Sequence, residues 1–438
     1  MIDMQIEELY KKYCSCRFRV TTDTRKIRGG EMFFALKGEN FDGNDFVETA
    51  LRNGAYWAVT DRESIPEGRG IIKVEDCLKT LQDLASYHRS QMGGGRLPVI
   101  ALTGTNGKTT TKNLIKEVLS CRYNVTATEG NLNNDIGVPL SLLRITPRTQ
   151  IAVIEMGASH PDDIARLVRI CKPDYGLITN IGKGHLLGFG SYKGVKQAKG
   201  ELYKWLGEHR YSLIFLNEDD EVLRRMASSQ PCHIFGYGLE YQSAEVLPTT
   251  AEEPFLRIKL DGSVIKTHLI GAYNADNVLA AIAIADRFGV TRKESIAAIE
   301  RYVPDNSRSQ MVRTERNTLV VDAYNANPSS MAAALDSFAS VQSERKAVML
   351  GDMKELGDES LSEHCKVLER LRKEMPEAYF VGDEFKKALD KDGAEPGWKW
   401  FEDSAALAAY LKENPVNEAA VLIKGSHSTE MEKVVPEL

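Results

Sequence analysis

The chain has 438 residues, of which 42% are hydrophobic and 27% charged, and its 56 Lys and Arg against 62 Asp and Glu leave a formal net charge of −6. A length prior of about 150 residues per domain gives about three domains, and the composition is that of a globular protein, which argues against a disordered tail, a mini-protein or a lone binding module. Mild acidity provides no electrostatic footprint for nucleic acid or an anionic membrane, so a bound nucleotide is expected as a small ligand.

The opening residues MIDMQIEELYKKY lack the basic-then-apolar order of a signal peptide, and secretion is not expected. Cys14 and Cys16 follow, read as part of an N-terminal strand rather than as a thiol site. The seven cysteines are odd in number and scattered, with no Cys-x-x-Cys pair or zinc-like spacing, which predicts a reducing cytoplasm. Next, MFFALKG, AYWAVT and IIKVED predict strands, with helices around 44–54 and 77–90, a short mixed α/β part. Residues 91–98, QMGGGRLP, join three glycines to a proline and predict a linker.

Beyond it, the strand VIALTG, a glycine-containing loop and the helical pattern TTKNLIKEVLSC begin a second part, continued by the strands IAVIEMG and DYGLITNIG at α/β spacing. The aliphatic run from Val278 to Ala285 is bounded by Asn277 and Asp286, far short of the ~20 residues that span a bilayer, and predicts a buried helix. VPDNSRS, residues 303–309, predicts a second linker. The last part alternates apolar runs with helical patterns: TLVVDAY, SSMAAALDSFASV, KAVMLGD, LSEHCKVLERLRKEM, AYFVGD, AALAAYLKE and AAVLIKGS. This spacing predicts βαβ units and a parallel sheet, with Asp322, Gly351-Asp352, Gly382-Asp383 and Gly425-Ser426 on one ligand-facing rim at the strands' carboxyl ends.

Chemistry concentrates at Gly104, Thr105, Asn106, Gly107, Lys108, Thr109 and Thr110, between a strand and a helix. Glycines admit phosphate oxygens to backbone N–H groups, the helix N-terminus adds positive potential, Lys108 neutralises the β and γ phosphates, and Thr109 can ligate Mg²⁺. Leu102 stands where the strict nucleotide-loop pattern has its first glycine. Glu155 closes the strand IAVIEMG at the same edge, where a magnesium carboxylate is needed. His185, in the glycine-rich segment NIGKGHLLGFGS, is either a hydrogen-bonded loop residue or a group at the phosphate edge. Lys199, in VKQAKGELYKW, reads from its residues alone as a solvated helical lysine.

The blocks TTDTRKIRGGEMFFALKGENFDG, TGTNGKTTTK, GNLNNDIGVPLSLL, EMGAS, GHLLGFGS, AKGEL, GAYNADNVLAA, DAYNANPSSM, MLGDMKELG and LIKGSHSTEMEKV, spread over the whole chain, resemble the Mur ligases. The resemblance implies an α/β protein of three domains: a small mixed α/β domain for the UDP end of the substrate (1–94), a central ATPase domain with a mainly parallel sheet (95–304) and a Rossmann-like C-terminal domain (305–438). It implies ATP-dependent addition of D-alanyl-D-alanine to UDP-N-acetylmuramoyl-tripeptide through an acyl phosphate, by a cytoplasmic monomer with no nucleic-acid or membrane partner. By position, Thr109 and Glu155 correspond to ligands of one Mg²⁺, His185 to a ligand of a second, and Lys199 to a lysine that becomes a metal-binding carbamate, which replaces the solvated reading. Asn274 corresponds to an adenine contact, Arg308 to the arginine that reaches the γ-phosphate, and Asp322 to an aspartate on the ribose side. Thr22, Asp23, Arg25, Lys37 and Asn40 fall in the block that resembles the uridine-diphosphate site. Two residues depart from the pattern: Ser307 stands for a usual glycine before Arg308, and His427 for a common arginine. An imidazole offers no permanent bidentate fork to a carboxylate. The competing readings are another ligase of the same superfamily and a nucleotide-driven switch or transport ATPase.

Overall fold

A computed structural model describes residues 5–38, 40–250, 253–304 and 310–438. The chain opens with a helix, Ile6–Ser15, and not with the strand expected around Cys14 and Cys16. Leu9 and Tyr13, four residues apart, form its buried face, and Glu7 and Glu8 complement its N-terminus, so a helical period outweighs the short C-x-C pattern. Strands β1 (Val20–Thr21), β2 (Met32–Phe34), β3 (Trp57–Thr60) and β4 (Ile71–Lys73) then make a four-stranded sheet paired in parallel throughout.

The helix Cys77–Gln91 leads to the glycines at 93–95, all with positive φ, and into the second sheet. That sheet comprises β5 (Val99–Thr103), β6 (Val125–Ala127), β7 (Ile151–Glu155), β8 (Tyr175–Ile178), β9 (Leu213–Asn217) and β10 (His233–Tyr237), in the order β10-β9-β8-β5-β7-β6. Its central strands are buried at every position of VIALT, IAVIE and LIFLN, as expected for parallel strands covered by helices on both faces. The aliphatic run after Asn277 lies in the helix Ala275–Arg287, which packs on the nucleotide-loop helix Lys108–Leu119 and is buried from Val278 through Ala285. Unexpected from sequence is a small antiparallel sheet of β11 (Glu245–Leu247), β12 (Arg257–Leu260) and β13 (Ser263–Lys266).

The third sheet has the order β14-β15-β19-β16-β17-β18, from β14 (Gln310–Arg313), β15 (Thr318–Asp322), β16 (Lys346–Gly351), β17 (Ala378–Val381), β18 (Trp398–Phe401) and β19 (Ala420–Lys424). All pairs are parallel except β14 with β15. The alternation read in the sequence lacks β14, β18 and the helix Asp383–Asp392. The charged helix DEFKKALDKD and the WKWF strand carry only short apolar patterns. No helix among the described residues is long and apolar enough to cross a membrane.

Candidate active site

A parallel sheet delivers successive carboxyl ends to one edge, and the central sheet uses this to assemble a site. Leu102 of β5 is level with Glu155 of β7, and Thr103 with Ile178 of β8, so the nucleotide loop, Glu155 and the 179–189 segment emerge side by side. Gly104 and Gly107 are required by close approach. A Cβ on Gly104 would lie 1.9 Å from Thr179 Oγ1, and one on Gly107, whose φ is +80°, would lie 2.7 Å from Asn277 Oδ1. The loop is pinned from below: Thr179 Oγ1 and Asn180 Nδ2 donate to the Asn106 carbonyl at 2.6 and 3.0 Å, and Asn106 N–H donates to Asn180 Oδ1 at 3.0 Å. Lys108 folds over it, its Nζ donating to the carbonyls of Gly104 (2.8 Å) and Thr105 (3.0 Å).

Glu155 is 1% exposed, so its role as a merely solvated strand end is excluded. Its carboxylate accepts from Thr109 Oγ1 at 3.0 and 3.2 Å and from Asn133 Nδ2 at 2.9 Å. A buried carboxylate joined to a helix-terminal hydroxyl is a hard oxygen donor set suited to Mg²⁺, which typically takes one or two protein ligands and completes its shell with phosphates and water. Among the described residues no three His, Cys, Asp or Glu side chains converge as a metal site.

His185 has a positive φ of 52° and precedes the short helix Leu186–Phe189. Its Nδ1 is in ion-pair contact with Glu355 of the C-terminal part, while Nε2 makes no hydrogen bond among the described residues. Burial pushes the imidazole below its ordinary pKa, opposed by Glu355 and reinforced by Lys108 and Lys199. Lys199 is 2% exposed and is not among the residues lining the cleft; its ammonium is 5.8 Å from the Phe189 ring centre and without a hydrogen-bond or ion-pair partner among the described residues. Burial, with Lys108 nearby and Asp163 in opposition, holds its amine well below the lysine range. The solvated reading of Lys199 is therefore wrong. A signal was available: Lys199 lies on the stripe Val195, Ala198, Leu202, Tyr203 and Leu206, the buried face of the helix Tyr192–Glu208.

The C-terminal sheet supplies the facing wall of a cleft of about 1010 Å³ whose lining includes Lys108, Glu155, His185, Asn274, Asp322 and Lys424. Asn274, 2% exposed, donates from Nδ2 to the Ile270 carbonyl at 2.7 Å and accepts from Asn277 at 2.8 Å. Asp322 ends β15 and pairs at 2.5 Å with Lys424, which ends the neighbouring β19 and is 1% exposed. His427 stacks on Tyr324 at 5.6 Å between ring centres. The expectation that four strand ends form a ligand-facing rim holds for Asp322 alone: at β19 it is Lys424 that lines the cleft, while Gly425 packs on Thr429 and Ser426 is buried, and the other two ends also face away. Asp352 is fully buried and accepts from the backbone N–H groups of Glu384 (3.1 Å) and Phe385 (3.0 Å), and a Cβ on Gly382 would strike that carboxylate. Gly351-Asp352 and Gly382-Asp383 thus serve the N-terminus of the helix Asp383–Asp392.

Thr22, Asp23, Arg25, Lys37 and Asn40 do not line this cleft. They follow β1 and β2 at the carboxyl edge of the N-terminal sheet, where Arg25 binds Asp23 with two 2.9 Å hydrogen bonds and holds its carboxyl down to about 2, and Lys37 pairs with Asp61 at 3.1 Å. Arg308 and Ser307 lie outside the described residues. Sequence reading missed the cross-cleft contacts: Asn327 Nδ2 donates to Asn106 Oδ1 at 2.7 Å, and Lys183 Nζ reaches Glu359 and Glu363.

Family comparisons agree with this geometry. The models for the Mur ligase family catalytic domain, the Mur ligase middle domain and the Mur ligase glutamate ligase domain match residues 19–89, 102–285 and 307–427. A UDP-N-acetylmuramoyl-tripeptide–D-alanyl-D-alanine ligase of Bacillus subtilis is 34% identical over 433 residues, 96% of this chain and 92% of that protein. A crystal structure of MurF from Acinetobacter baumannii superposes with a TM-score of 0.84 at 31% identity, covering 96% and 93% of the two chains. A MurF ligase from Thermotoga maritima in complex with ADP does so at 0.83 and 27%, covering 96% of each. Likeness sustained from the first sheet to the last, with the nucleotide loop facing a C-terminal sheet across one cleft, makes this chain a member of the Mur ligase family.

Proposed function

We propose that the protein joins D-alanyl-D-alanine to UDP-N-acetylmuramoyl-tripeptide at the expense of ATP, giving UDP-N-acetylmuramoyl-pentapeptide, ADP and phosphate for peptidoglycan synthesis. The observation that carries this reading is full-length identity to ligases bearing that activity, 34% over 96% of the chain. The chemistry is a two-step activation. The tripeptide carboxylate attacks the γ-phosphorus of ATP and ADP leaves; the free amine of D-alanyl-D-alanine then attacks the acyl-phosphate carbonyl, losing a proton as phosphate departs. Two anions must meet in the first step, so cations at the loop lower its barrier.

Residues 104–110 hold the phosphates, with Lys108 offsetting their charge. Thr109 and Glu155 would hold Mg²⁺, which supplies charge neutralisation at the β and γ phosphates. His185 would hold a second Mg²⁺ through Nε2, oriented by Glu355 at Nδ1. Lys199 would supply a further ligand as its carbamate: a neutral amine is the form that adds CO₂, and its burial favours that form. Asn274 contacts adenine, Asp322 the ribose side, and Arg308 the γ-phosphate on closure. Thr22, Asp23, Arg25, Lys37 and Asn40 take the UDP end at the separate N-terminal edge. The domains run 1–94, 95–304 and 305–438, the third residue of the tripeptide is diaminopimelate or lysine, and the enzyme works as a cytoplasmic monomer.

The test is phosphate release from Mg-ATP and UDP-N-acetylmuramoyl-tripeptide with and without D-alanyl-D-alanine, with the product followed by mass spectrometry. Release that needs both substrates, with equimolar pentapeptide, is expected. Turnover with a single amino acid but not with the dipeptide, or release with no acceptor present, would overturn the reading.

A further inference from the structure

The segment between β8 and the Lys199 helix is gripped by the C-terminal part at several points. Lys183 N–H donates to Ser329 Oγ at 3.2 Å, and its Nζ lies 2.9 Å from Glu359 Oε2 and 2.8 Å from Glu363 Oε1. Two residues on, His185 contacts Glu355, whose carbonyl accepts from Leu187 N–H at 3.0 Å. Lys183 is flanked by glycines for a steric reason. A Cβ on Gly182 would lie 2.8 Å from Ser329 Oγ, and one on Gly184 2.9 Å from Thr105 Cγ2, so this strip is wedged between the nucleotide loop and the helix Pro328–Ala339. The carboxylates come from consecutive elements: Glu359 ends the turn Gly357–Glu359, and Glu363, 7% exposed at its side chain, opens the helix Ser360–Glu374.

We propose that Lys183 is a positioning residue of the ligation step, its bridge to Glu359 and Glu363 latching the C-terminal part onto the loop that carries His185. The inference rests on the ligase reading above. An ion pair made only when the two parts meet shifts the open–closed balance by its own strength and no more. Lys183 does not touch the reacting atoms; it acts by holding the His185 loop and the C-terminal wall in one arrangement. Removing its charge leaves the fold intact, because Glu363 Oε1 keeps a second cation, Lys366, at 2.9 Å.

The test is Lys183→Met, Lys183→Arg and Lys183→Glu in the full chain, with kcat and KM for ATP measured separately and small-angle scattering recorded with Mg-ATP. Lys183→Met is expected to lower kcat about two- to fivefold, the range that one partly exposed ion pair supports, with KM for ATP unchanged. Lys183→Arg restores most of the loss, Lys183→Glu deepens it, and the radius of gyration with nucleotide rises in the order of lost activity. An unchanged kcat in Lys183→Met, a loss that arginine does not restore, or scattering identical to wild type would overturn the proposal. Should the wild-type chain make no pentapeptide, the ligase reading fails, and the latch then stands or falls on the scattering series.

Discussion

Where the N-terminal sheet meets the central one, the helix Cys77–Gln91 packs on the helices Gly137–Leu143 and Asp163–Cys171, and Leu81 and Leu84 share one continuous apolar core with Leu142, Ile164 and Leu167. Polar groups within this seam are fully engaged: buried His88 pairs through Nε2 with the Ile145 carbonyl at 2.8 Å, and Arg89 binds Asp174 at 2.9 Å and the Cys171 carbonyl at 3.2 Å. The seam between the central and C-terminal sheets adds polar bridges around an open cleft to its apolar contacts. It surrounds the cleft and is joined by the Asn106–Asn327 amide pair, the Lys183 bridge and the His185–Glu355 contact, with a smaller apolar cluster that includes Leu186, Phe189, Met353 and Leu356. Apolar burial grows with area and resists opening, whereas polar contacts can be exchanged for water at little net cost. The expected outcome is that the first seam holds the N-terminal part as a platform while the second opens for substrates and products.

Substitutions can break this contrast by moving activity and stability independently. Beside the cleft, Lys199→Ala is expected to lower turnover on the order of 10²–10³-fold, because it deletes an electrostatic group, with a modest fall in Tm from the buried volume its stem vacates. Partial rescue by small carboxylic acids would mark the carbamate, and wild-type turnover would refute the role. At the platform seam, Leu84→Ala should cost about 2–5 kcal/mol in urea unfolding while kcat at low temperature stays near wild type. A loss of kcat with full stability would reverse the assignment of the two seams.

His88 sharpens the contrast by pH. Burial holds its imidazole below the ordinary value of 6.5, so the unfolded chain takes up a proton more readily than the folded one. The stability it supports is intact above pH 6.5 and declines as pH falls below 6.5 towards the lower folded value; His88→Gln should flatten this part of the denaturation profile. The smallest effect is expected from Asn327→Ser, which keeps a cap for the helix Pro328–Ala339 but cannot reach Asn106. Its unfolding free energy should change by about 1 kcal/mol or less, and a larger loss would mean that the cleft seam carries structural weight.

The legible parts of this molecule were the local ones. The strand, glycine loop and Lys-Thr helix start at 99–110 needed no distant partner to be read, and the βα alternation after residue 317 revealed a parallel sheet. Shorter patterns failed: Ile6–Ser15 was hidden by a C-x-C motif, and β18 and the three antiparallel strands at 245–266 are too brief for period to decide. Three Gly-Asp and Asp strand ends looked alike in sequence, yet Asp322 reaches the cleft while Asp352 is buried as a helix acceptor.

By itself the amino-acid order determined the phosphate loop, because a tight turn and a helix N-terminus are made by neighbouring residues, and the order of the blocks along the chain carried the family. Tertiary structure alone decided that Asn106 meets Asn327 and Lys183 meets Glu363 across the cleft. Those outcomes depend on contacts between residues 180 and more apart, whose free energy arises from burial and electrostatic environment once the sheets have packed, and no local periodicity encodes them.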